Sequence, residues 1–145
     1  VEAFRKTIHF YNAFAANDPQ STLMIWNKIK DEDTSKGIRI ILLNTRQDRL
    51  DRARLLVGMI RERLVEQFDY LFLIGQSSEI IEDLSVSSGI QQNKILNLGW
   101  TEPQSVFEAV LNYTEKNSVV IAIGNMGGMG GRVSEFFENR NIRHD

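Results

Sequence analysis

Short apolar runs alternate along this chain with longer stretches in which apolar residues recur at helical spacing. Ile8 to Ala15 reads as a first strand, and Asp18-Pro19 as an N-cap and first-turn proline opening a helix that runs through Lys30. After Gly37, the run Ile38 to Leu43 is interrupted only by Arg39, the pattern of a strand buried on both faces. From Asp48 to Phe68, the positions Leu50, Ala53, Val57, Ile60, Leu64 and Phe68 form one stripe and predict the longest helix. Tyr70 to Ile74 predicts a third strand, Ser78 to Ser87 a short helix, and Lys94 to Leu98 a further strand. Thr101-Glu102-Pro103-Gln104 has capping-box spacing, and the helix it starts buries Val106, Phe107, Val110 and Leu111. Ser118 to Ile123 predicts the last strong strand, Gly124 to Gly131 a turn, and Val133 to Glu138 a closing helix.

This alternation predicts an α/β domain with a Rossmann-like, mostly parallel sheet of about five to six strands and helices on both faces. The 145 residues read as one domain without repeat or linker. In such sheets ligands sit outside the C-terminal ends of the strands, which singles out residues 17–21, 44–52, 75–78 and 124–132.

Composition narrows the chemistry. A net charge of −2 lacks the basic footprint of a nucleic-acid binder or of a polybasic membrane patch. The absence of cysteine removes disulfides, thiol catalysis and cysteine metal sites, and His9 and His144 are too few for a histidine cluster. Nothing reads as a transmembrane span or signal peptide, which leaves the cytoplasm as the expected compartment. The chain opens on Val1, which reads as a processed or excised piece. His9 has no partner nearby in sequence, and Trp26 and Trp100 are expected in or against the core.

Three constellations offer chemistry. The loop Asn44-Thr45-Arg46-Gln47-Asp48-Arg49-Leu50-Asp51-Arg52 concentrates arginines and aspartates after the most apolar strand. A guanidinium grips a carboxylate or phosphate through two parallel hydrogen bonds, so Arg46 or Arg49 can hold an anionic ligand while Asp48 orients it. The same residues also suit a solvated helix start with internal ion pairs that contribute little. Around Asn17, Asp18 and Ser21, polar groups and small neighbours stand at a helix N-terminus, as a ligand contact or simply as a cap. The turn Gly124-Asn125-Met126-Gly127-Gly128 can cradle an anion on backbone amides or act as a hinge or docking surface. It is not the dinucleotide fingerprint, because Gly128-Met129-Gly130 would require glycine where Val133 stands. No Gly-x-x-x-x-Gly-Lys-[Ser/Thr] occurs, so the chain has no recognisable triphosphate loop of its own.

These loops, in this order, resemble the C-terminal domain of the Mur ligase family, most closely that of the ligase subunit of poly-γ-glutamate synthases, which act in capsule biosynthesis. The resemblance lies in Phe14-Ala15-Ala16-Asn17-Asp18 with Ser21-Thr22-Leu23 and Ile25-Trp26, and in Asn44-x-Arg46-x-Asp48-Arg49-x-Asp51-Arg52. Leu73-Ile74-Gly75 and Gly124-Asn125 extend it. It implies an ATP-dependent amide ligase working through an acyl phosphate, with ATP and Mg2+ held mainly by a central domain that precedes this one. It also implies that Arg49, with Arg46 and Asp48 beside it, holds the incoming glutamate, and that Asn17, Asp18 and Ser21 face the nucleotide. The family commonly carries histidine where this chain has Gly127. Implied partners are the chain's own ATPase domain, glutamate and its γ-linked polymer, and membrane-bound synthase subunits at the inner face of the membrane; a homo-oligomer stays open. The alternatives are a stand-alone nucleotide or anion binder and a structural assembly module.

Overall fold

The apolar runs become the strands of one sheet in the computed structural model, which describes residues 1–16 and 18–140. In chain order the elements are β1 (Glu2–Ala3), β2 (Lys6–Asn12), α1 (Pro19–Glu32), β3 (Ile38–Thr45), α2 (Leu50–Arg63), β4 (Tyr70–Gly75), α3 (Ser78–Ser88), β5 (Ile95–Gly99), α4 (Pro103–Tyr113), β6 (Asn117–Gly124) and α5 (Met129–Glu138). Single 3-10 turns at Gln47–Arg49 and Gln92–Lys94 lead into α2 and β5. The strand order is β1-β2-β6-β3-β4-β5, all parallel except β1, which pairs antiparallel with β2 through a turn at Phe4 and Arg5. Both turn residues have positive φ, as the tightest hairpin turns require, and the pattern of apolar positions gives no sign of them.

Successive side chains of a strand point to opposite faces, so each central strand feeds two cores. Ile41, Leu43, Leu71, Leu73, Val119 and Ile121 pack against Trp26 and Ile29 of α1, Leu56, Val57 and Ile60 of α2, and Ile81 of α3. Ile40, Leu42, Phe72, Ile74, Val120 and Ala122 pack against Val106 and Val110 of α4 and Val133 and Phe137 of α5.

The order places β6 between β2 and β3. The chain leaves β3 for α2 on one face and leaves the adjacent β6 for α5 on the other. Adjacent parallel strands whose connections depart to opposite faces leave a crevice at their C-terminal ends. That crevice lies between the arginine loop and the glycine turn.

Several expectations are corrected. α2 ends at Arg63, because the chain turns at Leu64 and reaches positive φ at Glu66. Leu64 and Phe68 stay buried because the turn folds back, with the Gln67 amide donating to the Leu64 carbonyl at 2.9 Å. The capping box at Thr101 does not form: Glu102 is the N-cap of α4, and no side chain caps it. Helix α5 starts at Met129, four residues before Val133, so the last three residues of the expected glycine turn are helical. Trp26 is buried as expected, whereas Trp100 is 57% exposed.

Candidate functional site

Asn44 and Thr45 close the buried strand β3 at its C-terminal end, each 1% exposed. The Asn44 side-chain amide donates to the Asn125 carbonyl at 2.6 Å and to the Gly127 carbonyl at 2.9 Å. The Asn44 backbone carbonyl accepts the Asn125 amide at 3.2 Å, so one residue holds the glycine turn from both sides. Two carbonyl partners fix the orientation of the amide group, because only its NH2 can serve both. Its Oδ1 has no donor among the described residues and faces Gly75, where a Cβ would stand 2.5 Å from it. At Gly124 a Cβ would meet the Asn44 carbonyl at 2.4 Å, and φ is +99°. Only glycine fits this close approach of β6 to β3.

Arg46 precedes the 3-10 turn, and its Nη2 pairs with Asp48 Oδ2 at 2.9 Å. The same side chain runs along the glycine turn, where a Cβ on residue 127 would lie 2.9 Å from Nη1 and 3.3 Å from Cδ. Arg46 thus fills the space beside Gly127. Arg49 stands at the junction of the 3-10 turn and α2, exposed, with a 3.5 Å contact to the Asp48 carbonyl. Its guanidinium has no carboxylate partner among the described residues. Across the crevice, Gly128 caps α5 without a side-chain hydrogen bond, and the amides of Gly128 and Met129 donate to no described group. The Arg46 guanidinium and the N-terminus of a ten-residue helix therefore meet at one crevice, with Arg49 three residues further along the same loop, a setting that favours an anion.

The first helix stands apart from this cluster. Asp18 caps α1 by accepting the Ser21 amide at 2.8 Å, and that hydrogen bond holds its carboxyl below the usual carboxylate range. No hydrogen bond or ion pair among the described residues joins Asp18 or Ser21 to Arg46, Asp48 or Arg49. Asn17 lies outside the described residues. Among the described residues, no three histidine, aspartate or glutamate side chains are grouped so as to hold a metal ion, and no helix is long and apolar enough to cross a membrane.

Two features escaped the sequence. Trp100 lies over the glycine turn, with ring atoms 3.4 and 3.7 Å from where a Gly128 Cβ would be. His9 does have a partner, remote in sequence: its Nδ1 lies 2.9 Å from Asp33 Oδ2, which also accepts the Tyr11 hydroxyl at 2.6 Å. Asp33 Oδ1 takes the Ser35 amide and hydroxyl. An ionised carboxylate only accepts, so His9 carries its proton on Nδ1. The period-two placement of His9 and Tyr11 on one strand was the available signal; Asp33 was hidden beyond the helix.

Burial pushes the Asp33 carboxyl up, but the hydrogen bonds from Ser35, Tyr11 and His9 outweigh it and hold it well below its ordinary value. Burial and the Asp33 bond together push Tyr11 up to about 12. Since the folded-state value of Asp33 is depressed, its stabilisation is present above the unfolded value of about 4 and fades as pH falls. Asp33→Asn is expected to cost about 2 kcal/mol at pH 7 in urea unfolding, with the gap to the parent chain closing below about pH 4. A gap that stays constant with pH would show that the charge of Asp33 is not what matters.

Residues 1–140 match the family described as the poly-gamma-glutamate synthase CapB C-terminal domain. PGA synthase CapB of Bacillus subtilis (strain 168) is 32% identical over 120 residues, covering 83% of this chain and 30% of that protein. Capsule biosynthesis protein CapB of Bacillus anthracis is 33% identical over 128 residues, 85% of this chain and 26% of that protein. The chain thus spans less than a third of the length of these relatives. A crystal structure of MurF from Acinetobacter baumannii shares the fold, with a TM-score of 0.57 and 13% identity over 95% of this chain and 29% of that one. By its sequence from end to end of the matched region, the chain belongs to the family of poly-gamma-glutamate synthase CapB C-terminal domains.

Proposed function

We propose that this chain is the amino-acid-holding and nucleotide-closing domain of an ATP-dependent ligase that extends poly-γ-glutamate. The observation that carries this proposal is the exposed Arg49 guanidinium, without a carboxylate partner among the described residues, in the same short loop as the Arg46–Asp48 pair that lies against the glycine turn. ATP with Mg2+, held mainly by the preceding central domain, supplies the phosphoryl group that turns the acceptor carboxylate into an acyl phosphate. The nitrogen of the incoming glutamate attacks that acyl carbon, the C–N bond forms, and phosphate and a proton leave.

The residues of this chain position and shield. Arg49 grips a carboxylate of the incoming glutamate in bidentate fashion. Asp48 holds Arg46 against the glycine turn, so that the second guanidinium keeps its place without a ligand. The amides of Gly128 and Met129 present fixed partial positive charge to an anionic oxygen, and such preoriented donors gain strength once closure excludes water. The fit to nucleotide is partial: Asp18 is spent on the helix cap, so Ser21 and its exposed neighbours offer the α1 contact. The cytoplasm, at the inner face of the membrane beside membrane-bound synthase subunits, is the compartment that this role calls for.

With an ATP-binding ligase domain present in the same polypeptide or in trans, glutamate and ATP are expected to yield ADP and γ-linked amide together. Release of ADP without an amide product, or neither, would defeat the proposal; product analysis by mass spectrometry separates these outcomes.

A further inference from the structure

A groove of about 570 Å³ runs between α1 and α2 on the face away from the sheet, lined by Pro19, Gln20 and Leu23 of α1 and by Arg54, Gly58 and Arg63 among others of α2. It opens at the N-terminus of α1, on the same edge of the sheet as the crevice, and descends to the C-terminal end of α2. Its apolar surface comes from Leu23, Met59 and Leu55, the last 60% exposed, and Glu62 is the one carboxylate in its lining.

Charge along this path is strongly uneven. Residues 46–63 carry six arginines against three carboxylates, in a chain whose net charge is −2. Of these arginines only Arg46 has a carboxylate partner among the described residues. Two of the six, Arg54 and Arg63, line the groove, whereas Arg61 turns toward α3 and donates to the Ser88 carbonyl at 3.1 Å. Nine residues of helix separate Arg54 from Arg63, about 14 Å along the axis.

Gly58 supplies an independent observation. It lies in the middle of α2, and a Cβ there would meet nothing within 4 Å. A mid-helix glycine costs about 1 kcal/mol relative to alanine, and nothing within the chain needs the space. It leaves the groove floor open to a chain laid along it.

We propose that this groove holds the polyanionic product, with the methylene groups of a γ-linked glutamate polymer against Leu23, Leu55 and Met59 and its carboxylates on Arg54 and Arg63. The proposal rests on the poly-γ-glutamate function above for the nature of the polymer, but uses different residues. An extended chain bearing a carboxylate on every residue and an apolar stretch between them matches both the two arginines of the lining and the apolar floor. Nucleic acid matches the charge alone, since its bases would find no aromatic platform in the lining.

The test is calorimetric titration of this chain with a synthetic γ-linked glutamate decamer, beside a single-stranded DNA decamer. Arg54→Glu/Arg63→Glu is expected to weaken peptide binding by at least about tenfold and flatten its salt dependence. Gly58→Leu is expected to weaken binding while leaving the melting temperature unchanged or raised, so that a folding defect is recognised as such. Equal peptide binding by the parent chain and both variants would overturn the proposal, as would DNA binding as tight as that of the peptide. In the active ligase, the double variant is expected to make shorter polymer at an unchanged initial rate of ADP release. Unchanged polymer length overturns the groove alone, whereas absence of glutamate-dependent ADP release in the parent enzyme overturns the ligase function.

Discussion

Replacing Arg49 by alanine is expected to lower kcat/KM for glutamate addition by two to three orders of magnitude, about 3–4 kcal/mol, with the fold intact. Among the described residues the guanidinium's one hydrogen bond is to the Asp48 carbonyl, 3.5 Å away, so its removal breaks no strong internal bond. Unfolding free energy should therefore change by less than about 0.5 kcal/mol. The kinetic loss is large because closure of the site strips water from the bound carboxylate, and a desolvated anion without its cation is costly. Arg49→Lys should recover only part of the activity, since an ammonium cannot reproduce the two parallel bonds. Steady-state ADP release at varied glutamate concentration decides the matter. Near-normal kcat/KM in Arg49→Ala would move the carboxylate site to Arg46.

The largest expected change in stability comes from one atom. Asn44→Asp keeps the shape of a side chain that is 1% exposed, but replaces its NH2 donor by oxygen. That oxygen would face the carbonyls of Asn125 and Gly127, the two acceptors that Asn44 now satisfies. A buried, unpaired charge, with the Asn125 carbonyl orphaned and the Gly127 carbonyl left only the Gly130 amide at 3.5 Å, costs about 3–5 kcal/mol at neutral pH. The introduced carboxyl would have a folded-state pKa raised above its unfolded value of about 4. The penalty is therefore smallest below about pH 4 and grows as pH rises, until the group is ionised in the fold as well. Asn44→Ala should also destabilise, by about 2–3 kcal/mol, but with no such pH dependence. Urea unfolding of both variants between pH 4 and pH 8 checks this, and parallel pH curves would mean that charge is not involved.

Much of this architecture is written in local patterns. The inward face of α4, Val106, Phe107, Val110 and Leu111, is the one the helical spacing predicts, and β3, β4 and β6 follow their apolar runs to within two residues. The misses share a cause: each depends on a contact distant in sequence. The stripe through Leu64 and Phe68 continues past the end of α2, because a tight turn returns both side chains to the same core. The early start of α5 conflicts with glycine's poor helix propensity. Glycine is what fits there, since a Cβ on Gly130 would stand 2.5 Å from the Asn125 carbonyl and 3.1 Å from the Asn44 side-chain amide, which comes from β3. Trp100 looks like a core residue by type, yet it rests on a turn that only the fold brings beneath it. The candidate site shows the same division. Arg46, Asp48 and Arg49 are legible as a cluster because they are sequence neighbours. The pairing of Arg46 with Gly127 and the role of Asn44 depend on β3 lying beside β6, which follows from strand order and from no local pattern.

The contact between Arg46 and Gly127 also couples the two positions. A side chain at 127 and the present course of the arginine exclude one another, because the first Cβ would stand 2.9 Å from Nη1. The far end of an arginine yields easily, so the fold would tolerate either occupant; what changes is where the guanidinium points. The two positions are therefore epistatic. A histidine introduced at 127 would alter function through displacement of Arg46 before its own imidazole did anything, and its effect would have a different sign in a background with a short residue at 46. A double-mutant cycle between the two positions would measure that coupling.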